Sequence, residues 1–277
     1  MISHTNHINS LRKPAQSVFQ RSRIRGSLSL FMVLFLTSCA HPIFEAVETT
    51  TSAGSGSITL GIPASTRGTS AGDLLVATVG VRGNPATSFP SGWTAVDDHA
   101  GFNNAICSSD DDGIACQLSV YWKFASGSET SVNVGLTPAN TPQAAGAVFR
   151  FSKTHTVNPI GQVATQNGNN NTPTAPNLVT NEKKVRVIQL VVSDTNGGSF
   201  PALPLTSEPA NAVFNLNSAT PLTRDSIVMG GAQFRKATAG SSTGAGVWTG
   251  GENNWRGSTI TIRAKQPSTA VVTPASP

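Results

Sequence analysis

The 277-residue sequence predicts an all-β protein, an antiparallel β-sandwich of jelly-roll-like kind built from two similar halves. Three observations predict it. Beyond residue 40 no window of eleven or more residues places apolar side chains at helical spacing. Short runs rich in β-branched and aromatic residues recur instead, separated by Gly, Pro and Asn clusters. The third observation is an internal echo. Ser88-Phe89-Pro90 returns as Ser199-Phe200-Pro201, an offset of 111. Lys123-Phe124-Ala125-Ser126 has a counterpart in Arg235-Lys236-Ala237-Thr238, and Phe149–Lys153 in the stretch Ile260–Lys265, at nearly the same shift. A repeat of this length is one supersecondary unit used twice.

The expected strands of the first half are Ile58–Ile62, Leu74–Val81, Trp93–Asp97, Leu118–Phe124, Ser131–Leu136 and Ala145–Phe151. Those of the second are Ala175–Val179, Val185–Val192, Ala212–Leu216, Ile227–Phe234, Gly246–Trp248 and Ser258–Ile262. Leu118, Val120, Trp122 and Phe124 alternate with Ser119, Tyr121 and Lys123, so that strand gives one face to a core. Leu74–Val81 and Val185–Val192 are more continuously apolar, as central strands covered on both faces are. The halves are expected at 57–153 and 174–265, joined by the Asn/Gly-rich stretch Gln162–Pro173. Face-to-face packing as one sandwich is favoured over two separate domains. Gln266–Pro277, rich in Pro, Ser, Thr and Ala, reads as a loose tail.

The N-terminus has a different character. Arg12, Lys13, Arg21, Arg23 and Arg25 precede the apolar stretch Leu28–Leu36, and no acid appears before Glu45. A basic region, a short apolar core and small residues are the build of a secretory signal. The stretch is less than half of the ~20 apolar residues that a spanning helix needs. It runs into Leu36-Thr37-Ser38-Cys39, which resembles the lipobox of bacterial lipoproteins. That resemblance implies that residues 1–38 are removed and that Cys39 is acylated. It also implies a membrane held through the lipid anchor, and a place in the cell envelope. Ala40 stands where an Asp resembles an inner-membrane retention signal, so the outer membrane is implied. Residues 39–56, with many Thr, Ser, Ala and Gly, are then expected to be a flexible tether.

Removing that signal changes the charge argument. The chain carries 19 Lys+Arg against 14 Asp+Glu, a formal net charge of +5. The five basic residues just named all lie within 1–38, so the remainder has 14 of each sign. A neutral body lacks the electrostatic footprint of a nucleic-acid binder, and none is expected as partner. Charged residues make up only 12% of the chain, about half the usual ~25%. Of the three cysteines, Cys107 and Cys116 remain after Cys39, and an exported protein favours their pairing as a disulfide. Closing a loop of about ten residues stabilises by about 2–3 kcal/mol in the chain-entropy picture.

The segments Ala71-Gly72-Asp73-Leu74-Leu75-Val76, Pro90-Ser91-Gly92-Trp93-Thr94, Tyr121-Trp122-Lys123 and Asn158-Pro159-Ile160 resemble a β-sandwich module of bacterial surface proteins and phage tail-associated proteins. The resemblance spans roughly residues 55 to 265. It implies a fold and a cell-surface context, and brings no activity or site residues with it.

No catalytic constellation emerges. Gly68-Thr69-Ser70-Ala71-Gly72 matches the pattern of a hydrolase nucleophile elbow, but a strand follows it where that chemistry needs a helix. His99 beside Asp97 and Asp98 is the only place for a hydrolase site, and a solvated loop histidine is the expected reading. Asp110 and Asp112 in the Asp110-Asp111-Asp112-Gly113 run are a weak Ca²⁺ candidate, lacking the ligand alternation of an EF-hand loop. No cofactor is expected. Trp248 and Trp255 flank a polar stretch that includes Asn253 and Asn254, a place where an exposed aromatic meets a sugar. The expectation is therefore a lipid-anchored binding or adhesion module and not an enzyme. Its ligand-facing segments are the Cys107–Cys116 and Thr249–Asn254 loops, and its partner is a glycan or an envelope protein, the ligand's chemical class not being readable from the sequence. The alternatives are an envelope structural or assembly lipoprotein that binds another protein, and a hydrolase near His99. Non-reducing peptide mapping of the exported protein is expected to find Cys107 joined to Cys116; two free thiols refute the pairing.

Overall fold

The computed structural model describes residues 40–53, 56–66, 71–82, 86–96, 105–106, 116–137, 143–195, 211–217, 226–248 and 254–266. Among these, every regular element is a strand. The first half holds β1 (Ile43–Ala53), β2 (Ser57–Gly61), β3 (Leu74–Arg82), β4 (Ala86–Ser88), β5 (Thr94–Ala95), β6 (Ala105–Ile106), β7 (Cys116–Phe124), β8 (Ser131–Thr137) and β9 (Gln143–Ser152). The second holds β10 (Ile160–Gly168), β11 (Thr174–Ala175), β12 (Val185–Thr195), β13 (Asn211–Asn217), β14 (Ser226–Lys236), β15 (Gly246–Val247) and β16 (Trp255–Ile262). All strand pairings among the described residues are antiparallel.

The repeat is visible in the topology. One large sheet runs β1-β9-β3-β7-β5, with β6 also on β7; the other runs β10-β16-β12-β14-β13. Each strand of one order has its counterpart at the same place in the other. The ladders agree residue by residue. Val76 pairs with Trp122 and Phe149, and Ile188 with Gln233 and Ile260. The second trio lies 112, 111 and 111 positions beyond the first. Each large sheet has a smaller companion, β2-β8-β4 in the first half and β11-β15 in the second.

Three apolar layers follow from these four sheets. The central one unites both halves: Leu74, Val76, Leu118, Val120, Phe149 and Phe151 face Ile188, Leu190, Val192, Met229, Ile260 and Ile262. Phe149 meets Phe214 across it, ring centroids 5.7 Å apart. A second layer joins Leu75, Ala77, Val79 and Val81 to Ile58, Leu60, Val132, Val134 and Leu136. The third sets Val191 and Val228 against Ala175 and Trp248. Strands β3 and β12 therefore bury both faces, which explains their continuous apolar runs.

Three expectations change. The stretch 39–56 is not a flexible tether throughout, because Ile43–Ala53 forms β1 and pairs with β9 along its length. Its apolar start and its Thr49-Thr50-Thr51 run suit an edge strand, and a neighbour is enough to order them. Likewise, Gln162–Pro173 is not simply a joining stretch: β10 takes Ile160–Gly168 and pairs with β16. The halves thus start earlier than 57 and 174, and the connection between them is 153–159. The large sheets of the two halves pack face to face as the leaves of an antiparallel sandwich, and the small sheets add a layer on the outer face of each.

Close approach at the central layer demands a glycine at Gly80. A Cβ built there lies 2.6 Å from Val192 Cγ2 and 3.5 Å from Met229 Sδ. At Gly61 a Cβ meets Glu48 Cβ at an ordinary 3.6 Å. Gly80→Ala is expected to destabilise by about 1–3 kcal/mol through overpacking, and Gly61→Ala to stay within about 0.5 kcal/mol. Denaturant midpoints check both; equal effects at the two positions exclude this account of the central layer.

Candidate anion-binding site

The turn before β12 and the chain leaving β14 and β16, at one end of the second half, carry cations. Lys184 has φ +59°, a left-handed backbone, and its N–H donates to Ala237 O at 3.2 Å. In the first half, 112 positions earlier, Gly72 has φ +83° and donates to Ala125 O at 2.8 Å. The turn is conserved in geometry between the halves, but the second half places a lysine where glycine is the relaxed choice. Holding a non-glycine residue there costs about 1 kcal/mol. Strain of this kind collects at functional sites.

The connection between the halves closes the site. His155 N–H donates to Arg263 O at 3.0 Å, Arg263 N–H to Pro159 O at 2.8 Å, and Lys265 N–H to Lys153 O at 2.9 Å. Residues 153–159 are thereby stitched to the chain leaving β16. Between this strip and the turn before β12 lies a cavity of about 530 Å³, lined by His155, Asn158, Glu182, Lys183, Lys184 and the segment Arg263–Gln266. His155 Nδ1 accepts from the N–H groups of Val157 and Asn158, at 3.2 and 3.1 Å. Its proton therefore belongs on Nε2 when the ring is neutral, and the imidazole is held in one orientation.

The charge balance of the cavity is one-sided. Lys183, Lys184, Arg263 and Lys265 face a single carboxylate, Glu182. That carboxylate is taken: Arg263 Nε donates to Glu182 Oε1 at 2.6 Å. Among the described residues of the cavity wall, the ammonium groups of Lys183 and Lys265 then have no carboxylate left to meet. Lysines are point charges on flexible stems, suited to an anion of variable shape. The same field reaches His41, just ahead of β1. Burial holds the His41 pKa below its ordinary value, the positive charges of Arg235, Lys184 and Arg186 add to this, and a hydrogen bond to the Val185 backbone opposes it.

The sequence-predicted site residues are placed elsewhere. Trp248 and Trp255 are not exposed sugar platforms: both are buried, at 0% and 2% exposure. Trp248 lies over Gly230, whose added Cβ would stand 2.2 Å from its Nε1. Trp255 covers Gly168 and donates from Nε1 to Asn170 Oδ1 at 3.1 Å. These glycines leave room for an indole face, so the rings complete the core of the second half. Asn254 is buried as well, its carbonyl accepting from Ser193 Oγ at 2.9 Å. Cys116 is buried at the start of β7, its sulfur 3.8 Å from Asn254 O. Cys39, His99, Cys107, Asp110, Asp112 and Asn253 lie outside the described residues, as does Ser70 of the Gly-x-Ser-x-Gly pattern. Among the described residues no cluster of His, Cys, Asp and Glu could hold a metal ion.

Sequence reasoning missed the basic end because it counted charge over the whole chain. The signal was present in Lys183-Lys184, Arg235-Lys236 and the Arg263/Lys265 pair, three basic groups at strand ends. Only pairing of β12 with both β14 and β16 gathers them. Lys184→Gly is expected to raise stability by about 0.5–1 kcal/mol as the left-handed strain is relieved, measured by denaturant titration. A loss of stability rejects the strain argument. No family model matches the chain, no curated protein does, and no solved structure resembles it significantly.

Proposed function

We propose that this chain is an envelope lipoprotein, anchored through acylated Cys39, whose folded part is a binding or adhesion module for ligands carrying negative charge. The observation that carries the reading is the cavity above: Lys183 and Lys265 line it beside Arg263, and Glu182, the one carboxylate among its described lining residues, is already paired with Arg263. An anion entering it gains charge-assisted hydrogen bonds in partial shelter from water. The signal-like N-terminus and the Leu36-Thr37-Ser38-Cys39 segment support the anchor. So does the short distance between them and the fold, since only Ala40, His41 and Pro42 separate Cys39 from β1. Binding therefore takes place close to the membrane surface. The glycan partner expected from Trp248 and Trp255 gives way to an acidic one, a carboxylated or phosphorylated polymer of the envelope.

Two measurements test this. Labelled palmitate is expected to enter the wild-type protein in cells and to be absent from Cys39→Ala. Fluorescent dextran sulfate is expected to bind the purified protein in a salt-dependent way, and neutral dextran not to bind. Lys183→Ala combined with Lys265→Ala should weaken dextran sulfate by about tenfold, the scale of ~1.4 kcal/mol. Unchanged affinity in the double variant, or equal binding of the two dextrans, defeats the reading.

A further inference from the structure

Two arginines occupy positions that the repeat makes apolar. In the first half Leu74 stands opposite Phe124 on one side and Phe151 on the other. The corresponding residues of the second half are Arg186, Arg235 and Ile262. One apolar member is retained and two have become guanidinium groups. Arg186 shares a strand face with Ile188, Leu190 and Val192, which line the central layer. It stands at the mouth of that layer and is 6% exposed. Among the described residues its Nε has no hydrogen-bond partner, and neither does Nδ1 of His41, whose ring otherwise bonds the Val185 backbone. Among the described residues no ion pair or hydrogen bond holds the side chain of Arg186 or of Arg235. Burial and the charge of Arg235 bring the Arg186 pKa down to about 10, so it keeps its proton at neutral pH beside a like charge.

An arrangement of this kind works against folding. Like charges directly opposite on a ladder are destabilising, and a buried guanidinium nitrogen without an acceptor forfeits its hydration. Leucine and phenylalanine fill the equivalent space in the first half at no such cost. We infer that Arg186 and Arg235 form a binding site for a phosphate-class oxyanion, with His41 at its side. The oxygens of one phosphate accept from two planar guanidinium forks at once, a fit that a single ammonium cannot offer. Lys184 belongs both to the cavity and to the charges acting on His41, so the arginine pair is the phosphate-selective end of the basic surface. This inference rests on the reading of that surface as the binding face. The phosphate comes either from a soluble phosphate ester or from the phosphodiester headgroup of a membrane lipid, which the short connection to Cys39 brings close.

The test uses the full protein extracted from membranes in uncharged detergent micelles, followed by thermal unfolding. Inorganic phosphate and glycerol phosphate are compared with chloride at constant ionic strength, and micelles doped with phosphatidylglycerol with micelles doped with phosphatidylcholine. At least one phosphate probe is expected to raise Tm by about 2–4 °C. A rise with the free esters assigns a soluble ligand; a rise with phosphatidylglycerol alone assigns the headgroup. Arg186→Leu with Arg235→Phe, the first half's own pair, should unfold at higher temperature than wild type without ligand and lose the response. Arg235→Gln, at an exposed position, should fold normally and show a several-fold weaker half-saturation point. A wild type unmoved by every phosphate probe overturns the inference, as does a double arginine variant that responds like wild type. If Lys183→Ala with Lys265→Ala abolishes the response while the arginine variants keep it, the cavity reading survives and the arginine pair is excluded.

Discussion

The apolar layer between the two large sheets is the constraint from which the rest of the architecture follows. Both halves contribute to it, and neither can cover its own large sheet on that side. Each fully buried Val, Leu, Ile or Phe there contributes about 1.5–3 kcal/mol relative to exposure. Sheets that are covered on this face still need cover on the other. The small sheets supply it, β2-β8-β4 against Leu75–Val81 and β11-β15 against Val191 and Val228. Glycines mark where the layers come closest, at Gly80 between the large sheets and at Gly230 and Gly257 beneath the outer pair.

A duplicated unit has two copies of every position, and the copies are free to diverge where packing does not hold them. Divergence here is uneven. Val76 and Ile188, Phe149 and Ile260, Phe151 and Ile262 exchange one apolar side chain for another. At the end of the sheets the first half remains relaxed and apolar, with Gly72, Leu74 and Phe124. The second half sets Lys184, Arg186 and Arg235 in the same places. Each of those exchanges lowers stability by a nameable mechanism: a left-handed backbone, a buried cation, a like-charge pair. The first half serves as an internal control for what the fold alone requires, and the excess in the second half is what binding has to account for.

Much of this fold was readable along the chain. Most expected runs have a strand at their place, because alternation and apolar continuity report which faces are covered, though Trp93–Asp97 shrinks to Thr94–Ala95 and Ala175–Val179 meets β11 only at Ala175. The strands β1 and β10 escaped notice for a common reason. Both sit at the edge of a large sheet next to β9 or β16, where Thr, Gln and Asn are tolerated and no apolar pattern is needed. Trp248 and Trp255 misled for the opposite reason. Their polar neighbours suggested a surface, while the glycines that receive the rings, Gly230 and Gly168, lie far off in sequence.

The sequence by itself determined the fold class, the duplication and the positions of the central strands, since these depend on periodicities that survive without knowledge of neighbours. It also showed a neutral body, which is a sum and carries no geometry. Tertiary structure alone decided that a small sheet covers the outer face of each large one and that the tryptophans are core. It alone brought basic residues from 41, 155, 183–186, 235 and 263–265 to one end. Charge acts through space with a range of several ångströms, so a site built from it appears only when strands distant along the chain are placed side by side.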